Sequence, residues 1–274
     1  MIFLRYVLLF SIYLLSSSCN AGWVISEVSS DQFGNKSYQT TFLQNNVVRY
    51  ESDLSVAIID LNNEQITLIF PIQKVYWQGS AETFKKGTID TFKSQTKELI
   101  NGSTGDIKDT YQQFYDDILK RMNSGDTVDA NRHVNVENLN EEKKIGDYLT
   151  HTYNVYIDST LSEKIWISFD LKPFQEIDLK KLMKFTSELS PMENGISTTN
   201  SDKYIDLVQK GLVVKTEKYI NGYLATTTKL KLVKKGVIPD TFFSPPPLYR
   251  KASIKEVLSM DSESDIPTLP DPDK

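Results

Sequence analysis

One cysteine, Cys19, and two histidines, His133 and His151, are all this sequence offers of the residues most used for metal binding and nucleophilic catalysis. Metal sites need clustered His, Cys or carboxylate ligands. The two histidines fall on different predicted strands, each without a second ligand in a shared motif, so no metal and no cofactor is expected. A lone thiol has no intramolecular partner, and the fold has to stand without a disulfide. A Gly-rich phosphate loop and a nucleophile elbow are both missing; Gly102-Ser103-Thr104-Gly105 reads as a turn between helices. Nothing selects His151 as the base of a serine triad. Asp116-Asp117 are neighbours in a helical stretch and do not face one another, so shared acid–base work is not indicated. Positive charge is also in short supply. Lys and Arg number 31 against 36 Asp and Glu, for a net charge of −5, which lacks the electrostatic footprint of a nucleic-acid binder. Lys180-Lys181 and Lys234-Lys235 read as solvated faces. The expectation is a protein that is not an enzyme and has no nucleic-acid partner.

Long apolar runs are missing too. Tyr6–Leu15 is a run of about ten residues, where a bilayer span needs roughly 20. With Arg5 before it and Ser16-Ser17-Ser18 after it, the run reads as a cleavable export signal. Two processing sites stand open. Cleavage after Ala21 leaves a mature chain beginning Gly22-Trp23. Alternatively, Leu15-Ser16-Ser17-Ser18-Cys19 resembles a degenerate lipobox, with Cys19 as the lipidated residue. Either way the predicted address is the periplasm of a Gram-negative bacterium, soluble or anchored to the outer membrane through Cys19.

What the chain does contain is aromatic, β-branched sequence with 14 Tyr, 13 Phe and 3 Trp, a composition that favours sheets. Its centre is Ser55–Trp77. Val56–Ile59 and Ile66–Phe70 are apolar runs joined by Leu61-Asn62-Asn63-Glu64, a strand–turn–strand signal in which Asn62-Asn63 are expected to take the positive φ of a tight hairpin. Asp60 reads as the start of that turn. The runs are too continuous for a sheet wet on one side, so both faces need covering. Earlier strands are expected at Gly22–Ser29, with Trp23, Ile25 and Glu27 on one side, at Lys36–Leu43 and at Val47–Glu51. Pro71 ends the hairpin, and Val75–Trp77 resumes as a strand.

From Ser80 the apolar period lengthens to that of a helix. Helices are predicted from Ser80 to about Ile100, from Asp106 to Asn123, from Asp178 to Glu188 and from Ser201 to Lys210. Between them Asp147–Asp158 and Lys164–Leu171 form a hairpin, while Asn131–Asn140 alternates only weakly. Leu212–Tyr219 and Tyr223–Val233 flank Asn221-Gly222, a strong hairpin signal. Ile238–Tyr249 is extended and Pro-rich, with Phe242 and Phe243 expected to plug one end of the core. Ala252–Met260 adds a turn or two of helix. The tail from residue 253 onward is acidic, Pro-rich and expected to lack order towards its end.

The fold class is therefore α+β, a curved antiparallel sheet with helices packed on its concave face. A resemblance supports this. Gly22-Trp23-Val24-Ile25, Val47-Val48-Arg49, Ile58-Ile59-Asp60-Leu61 with Gln65–Ile69, Tyr76-Trp77, and Val237-Ile238-Pro239-Asp240 with Phe243 and Tyr249 resemble an exported bacterial family of unknown function. That family is similar to the LolA-like lipoprotein-carrier half-barrels. The resemblance implies an incomplete barrel over Gly22–Ala252, with helical inserts at about 80–123 and 178–211 and a gap that holds acyl chains. It implies no catalytic residue. The expected lining is Trp23, Tyr38, Phe42, Ile58, Leu68, Phe70 and Trp77 from the sheet, and Phe84, Phe92, Phe114 and Ile118 from the helices. The implied partners are an acyl lipid or lipoprotein, or an envelope protein if the helices fill the gap.

Overall fold

The computed structural model describes residues 21–124, 133–189 and 201–264. The expected export signal, with Cys19, and the tail beyond residue 264 lie outside the described residues. Twelve strands make one open, curved sheet. In chain order they are β1 (Gly22–Asp31), β2 (Lys36–Gln44), β3 (Val47–Glu51), β4 (Val56–Asp60), β5 (Gln65–Phe70), β6 (Val75–Ser80), β7 (Val134–Ile145), β8 (Tyr148–Ile157), β9 (Thr160–Ser168), β10 (Leu212–Ile220), β11 (Tyr223–Gly236) and β12 (Arg250–Lys251). Their order in space is β12-β6-β5-β4-β3-β2-β1-β11-β10-β9-β8-β7. Every pair is antiparallel except the short β12–β6 pair. The described helices are α1 (Ala81–Gly102), α2 (Gly105–Ser124), α3 (Leu179–Leu189), α4 (Asp202–Lys210) and α5 (Ile254–Ser264). The α+β class and the antiparallel, unclosed sheet expected from the sequence are both present.

Local chemistry explains the turns. Asn45 and Asn46, with φ of 50° and 61°, and Asn221 and Gly222, with 52° and 81°, sit in the left-handed region that two-residue hairpins demand. The β4–β5 turn is built differently from expectation. Asp60 Oδ1 accepts hydrogen bonds from the backbone N–H of Asn62 and Asn63 at 2.9 and 3.1 Å, and Glu64 carries the positive φ, 54°. The aspartate side chain organises this turn in place of a two-residue asparagine turn, and the left-handed residue is Glu64, not Asn62 or Asn63. Ser80 caps α1 by accepting from Thr83 N–H. Asp178 does the same for α3 through Lys181 N–H, at 2.9 Å. The weakly alternating Asn131–Asn140 stretch contributes to β7, a long, mostly exposed edge strand. Its charges Glu137, Glu141, Glu142, Lys143 and Lys144 guard an edge that would otherwise pair with another chain.

The cross-strand registers sort the sheet into two faces, and different parts of the chain cover them. On one face Ile25, Leu43, Val48, Ile59, Ile66 and Trp77 pack with Leu179, Leu182 and Phe185 of α3, Ile205 of α4 and Val257 of α5. Farther along that face, Val155, Ile165 and Ile167 lie against Tyr204 and Leu207 of α4. We call this the helix face. On the other face Val56, Ile58 and Ile69 are covered by Phe243 and Tyr249.

That second cover is a strap, Val237–Tyr249, laid across the sheet. Gln44 fixes its start, donating from Nε2 to Ile238 O at 3.0 Å and accepting from Ile238 N–H at 3.2 Å. Arg49 fixes its middle. Its Nη1 donates to Phe242 O at 2.6 Å and its guanidinium lies 4.2 Å from the Phe242 ring centre. The expectation that Phe242 and Phe243 plug the end of the core is corrected here. They belong to the face away from the helices: Phe242 is held by Arg49 and by Phe42, 4.7 Å away between ring centres, and Phe243 packs on Val56, Ile58 and Ile69. The chain then turns round the β6 edge as β12, with Arg250 N–H donating to Lys74 O and Ala252 N–H to Tyr76 O. It returns to the helix face as α5. Residues 254–264 thus belong to the fold, which moves the expected boundary at residue 252: Val257 is 1% exposed, and Ile254 seats against Gly87 of α1.

Candidate functional site

The helix face is not sealed evenly. One cross-strand row, Trp23, Leu43, Val48, Ile59, Ile66 and Gly79, runs from β1 to β6. Its Leu43 and Val48 are fully buried, and Ile59 and Ile66 nearly so. The next row is Ile25, Thr41, Tyr50, Ala57, Leu68 and Trp77. Its ends are buried, but Tyr50, Ala57 and Leu68 are only half-buried. Ala57, the smallest side chain of the row, lies between Tyr50 and Leu68. The result is a partly exposed apolar floor, with Trp77 at its end and Phe84 of α1 packed beside it, their rings 5.7 Å apart. Leu230 of β11 and Met183 of α3 also pack at the margin of this core with surface to spare.

Next to that floor the face turns polar. Glu27 shares the helix face with Ile25 two residues before it, and its cross-strand neighbours are Gln39 and Leu230. Among the described residues no hydrogen bond or ion pair reaches its carboxyl. Burial raises that carboxyl above the usual carboxylate range. Tyr50 answers it from two strands away: burial first, then the charge of Glu27, push its phenol up to about 12. Both residues nonetheless keep accessible surface. One step beyond, Ser29 and Thr228 share a hydroxyl hydrogen bond of 2.7 Å. At the opposite end Trp23 has a buried indole N–H without a partner, and Lys235 Nζ lies 5.3 Å from its ring centre.

The expected lining residues divide between the faces. Trp23, Leu68, Phe70 and Trp77 are on the helix face, and Phe84 of α1 packs against the same core. Tyr38, Phe42 and Ile58 are corrected to the opposite face. Alternation along β2 puts Tyr38 and Phe42 on that side, with Arg49 directly across from Phe42 and Ile58 across from Arg49. Ile58 packs under the strap and Tyr38 is 55% exposed. Phe92 and Phe114 meet in a separate contact between α1 and α2, and Ile118 lies half-buried on α2, so these three are corrected away from the sheet floor. Phe92 lies 6.1 Å from Phe114 and 6.2 Å from Tyr115, and Phe114 is exposed. Sequence reasoning put Glu27 on the right side of β1 but not in the site, and it missed Tyr50 and Ala57 there. The available signal was an acid continuing the alternation of Trp23 and Ile25.

Several charged side chains elsewhere are paired within the fold. His151 packs against Phe169, ring centres 5.0 Å apart and tilted by 39°, and has Glu142 at 3.8 Å. Lys180 pairs with Asp202 and Asp206, and Lys181 with Glu64. Among the described residues no three His, Cys, Asp or Glu side chains are grouped to hold a metal ion. No described helix is long and apolar enough to cross a membrane.

No protein-family model and no curated protein matches this sequence. Among solved structures, PNGF-II in a C2 crystal form aligns with 89% of the chain at 13% identity and a TM-score of 0.39. Its P21 form gives 12% and 0.36. The chain spans about a third of PNGF-II, 33% and 34% in the two forms. A LolA superfamily protein from Nitrosomonas europaea aligns over 82% of this chain and 90% of its own, at 9% identity and a TM-score of 0.22. Likenesses this distant carry no functional argument, so function has to be argued from the side chains.

Proposed function

We propose that this protein is a non-enzymatic, exported binder of a hydrophobic small molecule, seated on the helix face between sheet and helices. The observation that carries the reading is the half-buried trio Tyr50, Ala57 and Leu68 beside the buried Leu43, Val48, Ile59 and Ile66. A floor of this kind gains free energy from an apolar guest. Each methylene withdrawn from water contributes about 0.8 kcal/mol, so a ten-carbon chain contributes roughly 8 kcal/mol before the cost of immobilising it. The Gly22–Ile25, Ile58–Leu61 and Val237–Asp240 stretches resemble an exported family that is itself similar to half-barrel carriers, which supports the same reading, with an acyl lipid or lipoprotein as guest and the periplasm as setting.

The test is organic extraction of the protein purified from its own envelope, followed by mass spectrometry. Co-purified acyl lipid in near-stoichiometric amount is the expected result. A lipid-free protein that also fails to take up a decanoyl probe overturns the reading.

A second reading rests on a different observation. Leu99 of α1 and Ile107 and Phe114 of α2 are exposed at 51%, 62% and 52%. An apolar surface on a helical hairpin suits a protein partner, and would make the chain an envelope-assembly module. Leu99→Lys with Phe114→Lys distinguishes the two readings: it abolishes capture of such a partner and leaves decanoyl binding unchanged.

A further inference from the structure

We infer that the guest is an amphiphile whose head group donates hydrogen bonds and bears no negative charge, and that the head lies at Glu27 and Tyr50. This deepens the hydrophobic-ligand reading and rests on it. The two residues come from β1 and β3, yet the registers bring them to the same end of the same face. Thr41 of β2 lies opposite both Ile25 and Tyr50, and Glu27 is the next residue after Ile25 on that face. The floor of Tyr50, Ala57 and Leu68 therefore ends in a carboxyl and a phenol.

Three features select the head group. Among the described residues the Glu27 carboxyl has no cation and no hydrogen-bond donor to satisfy it. A desolvated carboxyl in that condition is costly unless a partner arrives, and a hydroxyl, amide or ammonium supplies one. An anionic head is penalised by the same carboxylate, since like charges in a partly desolvated site repel strongly. The surroundings are built for uncharged polar groups, with Gln39 opposite Glu27 and the Ser29–Thr228 hydroxyl pair one step along the face. A guest lying with its tail on Leu68 and Ala57 and its head at Glu27 meets matching chemistry at both ends.

The experiment compares two probes with the same ten-carbon chain, 1-monodecanoyl glycerol and decanoate, titrated calorimetrically into the full-length protein at pH 7.5. The glyceride is expected to bind about tenfold more tightly, a difference of about 1.4 kcal/mol. Glu27→Gln is expected to bring the two affinities within about twofold, mainly by strengthening decanoate. Gln39→Glu, at an exposed position facing Glu27, adds a second carboxylate with little demand on folding and is expected to widen the preference. Equal affinities in the wild-type protein, or a ratio that neither variant moves, overturn the head-group assignment while leaving an apolar site in place. If neither probe binds, the hydrophobic-ligand reading itself fails.

Discussion

At the scale of the residue, the two most informative side chains are Glu27 and Gln44, and they behave in opposite ways. Glu27 is held where its charge is disfavoured. Its carboxyl is raised by burial, so ionisation is harder in the folded state than in the unfolded chain. The stabilisation this gives is complete below the ordinary carboxylate range and is lost as pH rises through the raised value. At neutral pH the ionised group is therefore a burden. Glu27→Gln is expected to raise the melting temperature at pH 7 and to have no such effect near pH 4, as followed by circular dichroism at the two pH values. Gln44, 5% exposed, is fully employed instead, giving one hydrogen bond to Ile238 O and taking another from Ile238 N–H. Gln44→Ala leaves two buried backbone groups unpaired. A loss of roughly 1–3 kcal/mol is expected in urea unfolding.

At the scale of the element, the strap and α5 decide which surfaces remain open. Ile254 anchors α5 on α1 by lying over Gly87. A Cβ added at Gly87 would sit 2.6 Å from both Ile254 Cγ1 and Cγ2, and a branched side chain at the start of a helix has little room to yield. Gly87→Val is expected to cost about 1–3 kcal/mol through overpacking. Hydrogen exchange is the measurement that tests this. Amides of 254–264 should exchange faster while those of β1–β5 keep their protection. If protection falls equally throughout, α5 is not the independently loosened element. The strap has a plainer role. Val56, Ile58 and Ile69 form a small core on the face away from the helices, and without Phe243 and Tyr249 that core would meet water.

At the scale of the whole molecule, the sheet joins two halves through one seam. β1 is paired along most of its length with β2 on one side and β11 on the other. The first pairing is local, and the second spans almost the entire described chain. Pairings of such long range form late and bind the halves into one cooperative unit. Wild-type unfolding is accordingly expected to show a single transition, the same by tryptophan fluorescence and by far-ultraviolet circular dichroism. Val28→Pro removes a strand donor in the middle of the sheet, where Val28 faces Tyr38 and Lys229. It is expected to cost about 3 kcal/mol or more and to lower both signals together. Two separated transitions would mean that the halves fold independently.

By itself the sequence determined the elements and the class. Period-two runs in β1 and β2, continuous apolar runs in β4 and β5, helical periodicity after Ser80 and the Asn221-Gly222 turn are local patterns, and local geometry follows from neighbouring residues. The need for cover on both faces of Val56–Phe70 was also readable, since alternation was absent. Only the tertiary structure decided which face each aromatic joins and what lies over it. Phe42 and Ile58 went under the strap, and Glu27, Tyr50 and Ala57 came together on the helix face, because cross-strand register couples residues from strands that the sequence cannot pair on its own. The candidate site is a product of that register: Glu27, Tyr50, Ala57 and Leu68 come from four strands, and only Glu27, an acid in an apolar alternation, stands out within its own strand.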